Sequence, residues 1–481
     1  MSIKEKKSPA IFRFQSGNHE FVLDINTNRI FTLSSQESIV IDRWLEGISE
    51  SCLEAMFPEE TSKLRFEGLF NDKKPEKMSY GINWEQICHE IMHQRHQTII
   101  ELTQECNLRC KYCTFGGGFY GHRTHANKTI DRNILEEAIN SGFQYGDELE
   151  EIVFGFYGGE PLLAWESLKE AILMVHEKAK GKKVIFSMTT NAVLLDKSKA
   201  TFLKENDVHI LVSLDGPQDM HDRYRTFANG NGSYAQTIKG LKILLDVYPP
   251  EKHSFIAINM VLPSLEWLPS LERLWENESW IPRTLNAQVN LMALPEHFIL
   301  PSPPLGTTAN QSKNEWLAHC NPDKELLTTT IEYNFFEVPL ARLHNRIIFD
   351  KNQQTVFPNG CCIPATKRVF VQTDGTYRLC ERFHGAPPIG NVMEGIDIKK
   401  VKQLIDEYIT YSFSDCKNCW AVSLCRICFQ GAYVNGKFDI HYKRNICNAN
   451  KTQLFEDLKT YGNVAVQFPH KLLKWDKMKI E

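Results

Sequence analysis

The chain has 481 residues, 42% of them hydrophobic and 24% charged, with a formal net charge of −4. That balance excludes disorder and a polyanion-binding surface as the main function, and the length allows two to four domains with a sizeable core. The N-terminus, MSIKEKKSPAIFRF, lacks the apolar stretch of a signal peptide, and no apolar run reaches the roughly 20 residues of a membrane span, so a cytoplasmic protein with no membrane or nucleic-acid partner is expected.

Residues 8–33 hold IFRF, EFVLDI and RIFTL, separated by SGN and NTN, which predicts a small antiparallel sheet. Ser35 can cap a helix through SQESIVIDRWLEGI, where Ile39, Ile41, Trp44, Leu45 and Ile48 recur at helical spacing, and further helices are expected at 50–57 and 59–68. The polar stretch NDKKPEKMSYG at 71–81 reads as a linker that closes an N-terminal unit, residues 1–80. Six apolar, β-branched-rich runs follow: TIIELT (98–103), EIVFGFY (151–157), KVIFSMTT (183–190), VHILVSLD (208–215), FIAINMVL (255–262) and AQVNLMAL (287–294). Helical patterns at 131–145, 164–180, 196–205, 233–247 and 264–276 separate them. This alternation predicts a parallel α/β sheet over residues 81–348, open or curled into a partial barrel, with its chemistry at the C-terminal strand ends. The Pro-rich stretch 295–304 reads as a loop and 322–348 as a helix leaving the sheet. In the third unit, 349–481, secondary structure is sparse and cysteines are dense, as where metal ligation replaces an apolar core.

Fourteen cysteines in a reducing compartment point to metal ligation or catalysis, not to disulfides. Three lie at 106–113, eight between Cys361 and Cys447, and Cys52, Cys88 and Cys320 stand alone. The first group, Cys106, Cys110 and Cys113, has the spacing C-x3-C-x2-C directly after the first strand of the sheet. A four-iron cluster ordinarily takes four thiolates; three would leave one iron open to an exogenous ligand. Zinc would need a fourth ligand such as His122 or His125.

With Tyr112 at its aromatic position, this segment resembles the signature of the radical S-adenosylmethionine (SAM) superfamily. The resemblance implies that SAM chelates the open iron and is reductively cleaved to a 5′-deoxyadenosyl radical that takes hydrogen from substrate, with the protein supplying orientation and shielding. Other elements follow in order. Tyr157-Gly158-Gly159-Glu160-Pro161, ending the second strand, resembles the motif that binds the SAM amino group. Thr190-Asn191 ends the third strand and Ser213-Leu214-Asp215-Gly216-Pro217 the fourth, with Arg225 just beyond. By resemblance to the peptide-modifying branch, Ser213 and Arg225 would contact the SAM carboxylate, and Asn191 and Asp215 would lie near the ribose or the substrate.

The second group is similar to the SPASM domain of radical SAM peptide maturases, which carries up to two auxiliary four-iron clusters. By that likeness Cys416, Cys419, Cys425 and Cys447 would hold one cluster, and Cys361 or Cys362 with Cys380 and Cys428 the other, giving three [4Fe-4S] clusters in all. The last internal gap of the family is usually three residues, whereas Cys425 and Cys428 are separated by two. Because adjacent Cys361 and Cys362 fit one cluster poorly, one auxiliary iron is expected to be open to a substrate cysteine; both neighbours ligating, or Cys320 completing the set, are the alternatives. A double zinc-binding domain is the structural rival.

Three strands followed by three helices resemble the PqqD-like element that binds a leader peptide by strand addition, with the edge carrying residues 20–32 the expected one. The fold expected is thus α/β: a partial (β/α)6 TIM-like barrel between a small winged-helix-like α+β domain and a cysteine-rich SPASM domain. The implied function is that of a ranthipeptide- or sactipeptide-type maturase, closing a thioether from a cysteine sulfur to a core-peptide carbon, with a ribosomal precursor peptide and an electron donor such as flavodoxin or ferredoxin as partners. Carbon–carbon cross-linking, epimerisation and formylglycine formation are alternatives within the class, and a non-catalytic zinc-binding peptide adaptor is one outside it.

Overall fold

A computed structural model describes residues 10–71, 73–116, 123–292, 309–320, 330–351, 353–357, 360, 362–382 and 385–478. The expected loop at 295–304, the start of the expected helix at 322–348, His122 and Cys361 lie outside the described residues.

The N-terminal unit is an antiparallel sheet of β1 (Ile11–Ser16), β2 (His19–Asp24) and β3 (Ile30–Leu33) in that order, followed by helices Ser35–Leu45, Glu50–Met56 and Pro58–Phe66. The first helix is capped one residue earlier than expected: Ser34 and Glu37 form a reciprocal capping box. The apolar face is narrower than expected. Val40, Ile41 and Trp44 are buried against Leu53 and Leu64, whereas Ile39 points to solvent.

The expected linker, 71–81, contains a short strand, β4 (Lys77–Met78), which pairs in parallel with Thr355–Val356, and it is followed by a helix, Trp84–His93, that the sequence reading did not anticipate. The central sheet then runs through β5 (Gln97–Thr103), β6 (Glu151–Gly158), β7 (Lys183–Thr190), β8 (Val208–Ser213), β9 (Ile256–Leu262) and β10 (Asn286–Leu291), all parallel, within two residues of the expected starts. These strands pack on the helices Arg132–Tyr145, Trp165–Lys178, Lys197–Glu205 and Tyr234–Val247 around a core rich in Ile, Leu, Phe and Val.

The six strands are not the whole sheet. With the short pair Thr355–Val356 as β11, strand β12 (Arg368–Val371) adds in parallel to β5, and β13 (Tyr377–Arg378) adds antiparallel to β12. The order is β10-β9-β8-β7-β6-β5-β12-β13, an open, eight-stranded sheet. Residues assigned to the third unit therefore extend the central sheet, and one apolar core runs from Ile87 to Tyr433. A second core joins Phe14, Phe21 and Leu23 of the first unit to Trp316, Leu340, Leu458 and Trp475. Phe12 stacks on Trp420 at 3.9 Å, so β1 lies against the C-terminal region. Among the described residues no helix is long and apolar enough to cross a membrane.

Candidate metal and cofactor sites

The cysteine loop begins where β5 ends, and a register shift between Glu101 and Thr103 marks the point where the chain leaves the sheet. Main-chain bonds sew the loop to the segment after β8: Arg109 N donates to Thr226 O at 2.6 Å and Lys111 N to Tyr224 O at 2.9 Å. Cys106, Cys110 and Cys113 thereby line one hollow of about 380 Å³ with Tyr112, Tyr157, Gly158, Gly159, Glu160, Asn191, Ser213 and Arg225. That is the size range of small-molecule sites.

Glycine is obligatory at two positions. Gly158 has φ +141°, and a Cβ there would strike Thr103 O; a Cβ on Gly159 would strike the carbonyl of Glu105. The ends of β5 and β6 thus approach closely enough to put main chain, not side chain, against the cysteines.

Glu160 is buried and heavily engaged: it accepts from Thr190 Oγ1 at 2.7 Å, Asn191 N at 2.8 Å and Leu162 N at 3.1 Å. Burial is the main influence on its carboxyl and raises its pKa. It therefore ties the ends of β6 and β7 together while facing the hollow. Asn191 donates to Asn107 Oδ1 at 2.8 Å, fixing the residue beside Cys106.

Asp215 is held by protein partners. Its carboxylate accepts from Tyr112 Oη at 2.5 Å and Val261 N at 3.2 Å, is 1% exposed, and is not among the residues lining the hollow. Arg225 Nη1 donates to Tyr112 Oη at 2.6 Å. Asp215, Tyr112 and Arg225 form a buried chain beneath the cysteine loop, with Arg225 Nε left unpartnered.

All three thiols are held protonated by burial, Cys106 up to about 12 and Cys110 up to about 11, with Cys113 also raised. Only a bound cation would ionise them at neutral pH. The residues fit a cluster with SAM on this ground: three neighbouring sulfurs, a main-chain cradle and an arginine N–H without a partner share one opening. His125 Nε2 lies 3.8 Å from Cys113 Sγ, and burial lowers its pKa to about 4.

Sequence reasoning missed the clasp that holds this loop. Glu101 is fully buried, pairs with Arg123, and accepts from Thr373 N at 3.1 Å; the Arg123 guanidinium lies 3.8 Å from the centre of the Phe115 ring. The signal was present as a glutamate inside the apolar strand TIIELT. Glu381, Arg382 and Gln430, which reach the hollow from the third unit, carried no sequence signal.

In the third unit the cysteines fall into two groups. Cys416, Cys419, Cys425 and Cys447 line a hollow of about 440 Å³ with Lys443, Trp420, Tyr408 and Phe357. Cys380 and Cys428 are mutual electrostatic neighbours, and Cys362 is a neighbour of Cys428. Burial raises Cys416 to about 11 and Cys380 to about 12, and it raises Cys419, Cys425 and Cys428 as well. Cys320 lines neither hollow and packs in the apolar core with Trp316 and Leu340. Among the described residues no three His, Cys, Asp or Glu side chains are drawn in around a single ion.

Residues 100–265, which carry the cysteine loop and strands β5 to β9 of the α/β sheet, match the family model described as Radical SAM superfamily. The chain is 24% identical over 352 residues to a cysteine-type anaerobic sulfatase-maturating enzyme of Clostridium novyi, covering 67% of this chain and 84% of that protein. It is 30% identical over 169 residues to the radical SAM cyclopropyl synthase TigE of Paramaledivibacter caminithermalis, and 29% over 140 residues to a serine-type sulfatase-maturating enzyme of Bacteroides thetaiotaomicron; each match spans 34% of the relative's length. The solved structure of native anSMEcpe with bound AdoMet shares the fold, with a TM-score of 0.55 at 18% identity over 79% of this chain and 100% of that one.

Proposed function

We propose that this protein is a radical SAM maturase that oxidises a ribosomally made peptide. The observation that carries the reading is the shared opening of Cys106, Cys110 and Cys113 with the Gly158-Gly159 cradle and Arg225. The three cysteines would hold a [4Fe-4S] cluster, Gly158, Gly159 and Glu160 the SAM amino group, and Ser213 and Arg225 its carboxylate. When bound, cluster and SAM supply a carbon radical that takes hydrogen from the peptide. The chain's own residues hold the loop on β5 through Glu101 and Arg123, orient Arg225 through Tyr112 and Asp215, and cover the opening with Glu381 and Arg382. Tyr112 and Asp215 are thus read as orienting the cofactor pocket from behind.

In the third unit, Cys416, Cys419, Cys425 and Cys447 would hold one auxiliary cluster, and Cys362, Cys380 and Cys428, with or without Cys361, a second. The β3 edge, which among the described residues has a sheet neighbour on one side only, would take a leader peptide as an added strand. That edge, residues 30–33, overlaps the 20–32 stretch at 30–32. A flavodoxin- or ferredoxin-type donor would reduce the SAM cluster. Relatives that act on sulfatases, and TigE, support a peptide or protein substrate. A thioether is the preferred product; the sulfatase-maturating relatives favour formylglycine as the second reading.

The test is anaerobic incubation of the iron-loaded protein with SAM, reductant and cysteine-containing candidate precursor peptides, read by mass spectrometry. Loss of two hydrogens with a thiol that no longer alkylates is the thioether result. Loss of sulfur from the peptide means formylglycine, and an unchanged mass for every peptide, despite 5′-deoxyadenosine release, would sink the thioether reading.

A further inference from the structure

Lys443 stands in the first turn of the helix Ile440–Gln467, four residues before Cys447, so the two side chains share one helix face. Its Nζ lies 3.7 Å from Cys416 Sγ and 3.8 Å from Cys447 Sγ, and 5.6 Å from the centre of the Tyr408 ring. The residue is only 2% exposed. A carboxylate does lie nearby, on Asp415, but Arg444 holds it through two bonds of 2.8 and 3.1 Å. A lysine is an ammonium at neutral pH, and a buried charge is costly unless opposite charge faces it. What faces this one is sulfur. Neutral thiols offset little, whereas thiolates on an iron–sulfur cluster carry the charge that an ammonium requires.

We propose that Lys443 is a positioning residue that raises the reduction potential of the group held by Cys416, Cys419, Cys425 and Cys447; this rests on the reading of that hollow as an iron–sulfur site. Net charge and hydrogen bonds to sulfur are among the quantities that set such potentials. An ammonium against two of four sulfurs favours the state with one more electron. Among the described residues, the hollow of Cys106, Cys110 and Cys113 is lined by Arg225 and Arg382 but by no lysine, and Lys443 touches only the C-terminal sulfurs. A raised potential suits a group that accepts electrons rather than one that delivers them to a sulfonium.

The experiment is an EPR-monitored potentiometric titration, with iron analysis, of the full chain and of Lys443→Met, Lys443→Gln and Lys443→Arg. In the two charge-removing variants the auxiliary signal should titrate at least tenfold less favourably for reduction, about 59 mV lower for one electron. Lys443→Arg should stay near the parent, and the SAM-cluster signal should not move. Loss of iron in Met and Gln but not in Arg would also support the role, since charge would then be what holds the cluster. Unchanged potentials in an iron-replete Met or Gln variant, or loss of iron in all three, would overturn it. About four irons per parent chain, instead of eight or more, would instead sink the auxiliary-cluster reading itself.

Discussion

The two cysteine hollows are built on opposite plans. At the central sheet, three sulfurs come from one short loop, pinned by main-chain bonds to the segment after β8 and pressed against a glycine-only main chain. In the C-terminal region four sulfurs come from the end of one helix, the loop that follows and the side of another helix, with an ammonium among them. The first hollow offers three sulfurs with Arg225, whose Nε has no partner among the described residues, and the second four sulfurs with Lys443 among them. The difference teaches what each would suit: three thiolates on a four-iron cluster would leave an iron open to a reacting ligand, and four would suit storage or transfer of electrons.

The largest expected effect breaks the first hollow alone. Cys106→Ala should reduce SAM cleavage to background, read as 5′-deoxyadenosine by chromatography and mass spectrometry; cleavage near the parent rate would mean that the loop does not hold the cluster. Cys447→Ala is its counterpart at the second hollow. It should retain most SAM cleavage while abolishing peptide modification, and equal loss of both activities would erase the division of labour. Next comes the tie between the two regions. Glu101 bonds to Thr373 of the third unit and pairs with Arg123 of the cysteine loop. Glu101→Gln leaves that guanidinium without its counter-charge, so denaturant unfolding should show a loss of about 3 kcal/mol. A change below about 0.5 kcal/mol, the range of ordinary surface substitutions, would mean that the clasp is ornamental.

How well each region could be read from sequence follows from its plan. The six parallel strands were legible because each is an apolar run long enough to fix its type, and the C-x3-C-x2-C loop because its ligands are adjacent in the chain. The grouping of Cys416, Cys419, Cys425 and Cys447 came only through resemblance, since a 19-residue interval separates Cys428 from Cys447 and no periodicity spans it. Strand β12 was missed because RVFV is four residues long and pairs with a strand about 270 positions earlier. The protein partners of Asp215 were not legible either, because Tyr112 and Val261, which donate to its carboxylate, lie 103 and 46 positions away in the chain.

The smallest predicted effect concerns pH, and it too separates the hollows. Behind Arg225, fully buried His221 accepts from Asp215 N through Nδ1 at 3.3 Å, so its Nε2–H donates to Ser233 Oγ at 2.9 Å, which in turn donates to Arg225 O at 2.8 Å. This chain requires neutral imidazole. Burial, with the nearby Arg225 charge, holds the His221 pKa well below its ordinary value of 6.5. The unfolded chain takes up a proton below about pH 6.5 that the folded chain refuses, so this contribution is fully present above that pH and is lost as pH falls. Between pH 7.5 and 5.5 it should cost about 1.4 kcal/mol. Urea unfolding at the two values should be steeper in pH for the parent than for His221→Gln, which keeps a polar side chain but cannot titrate. Parallel pH profiles would show that the imidazole is not a determinant of the first hollow's acid stability.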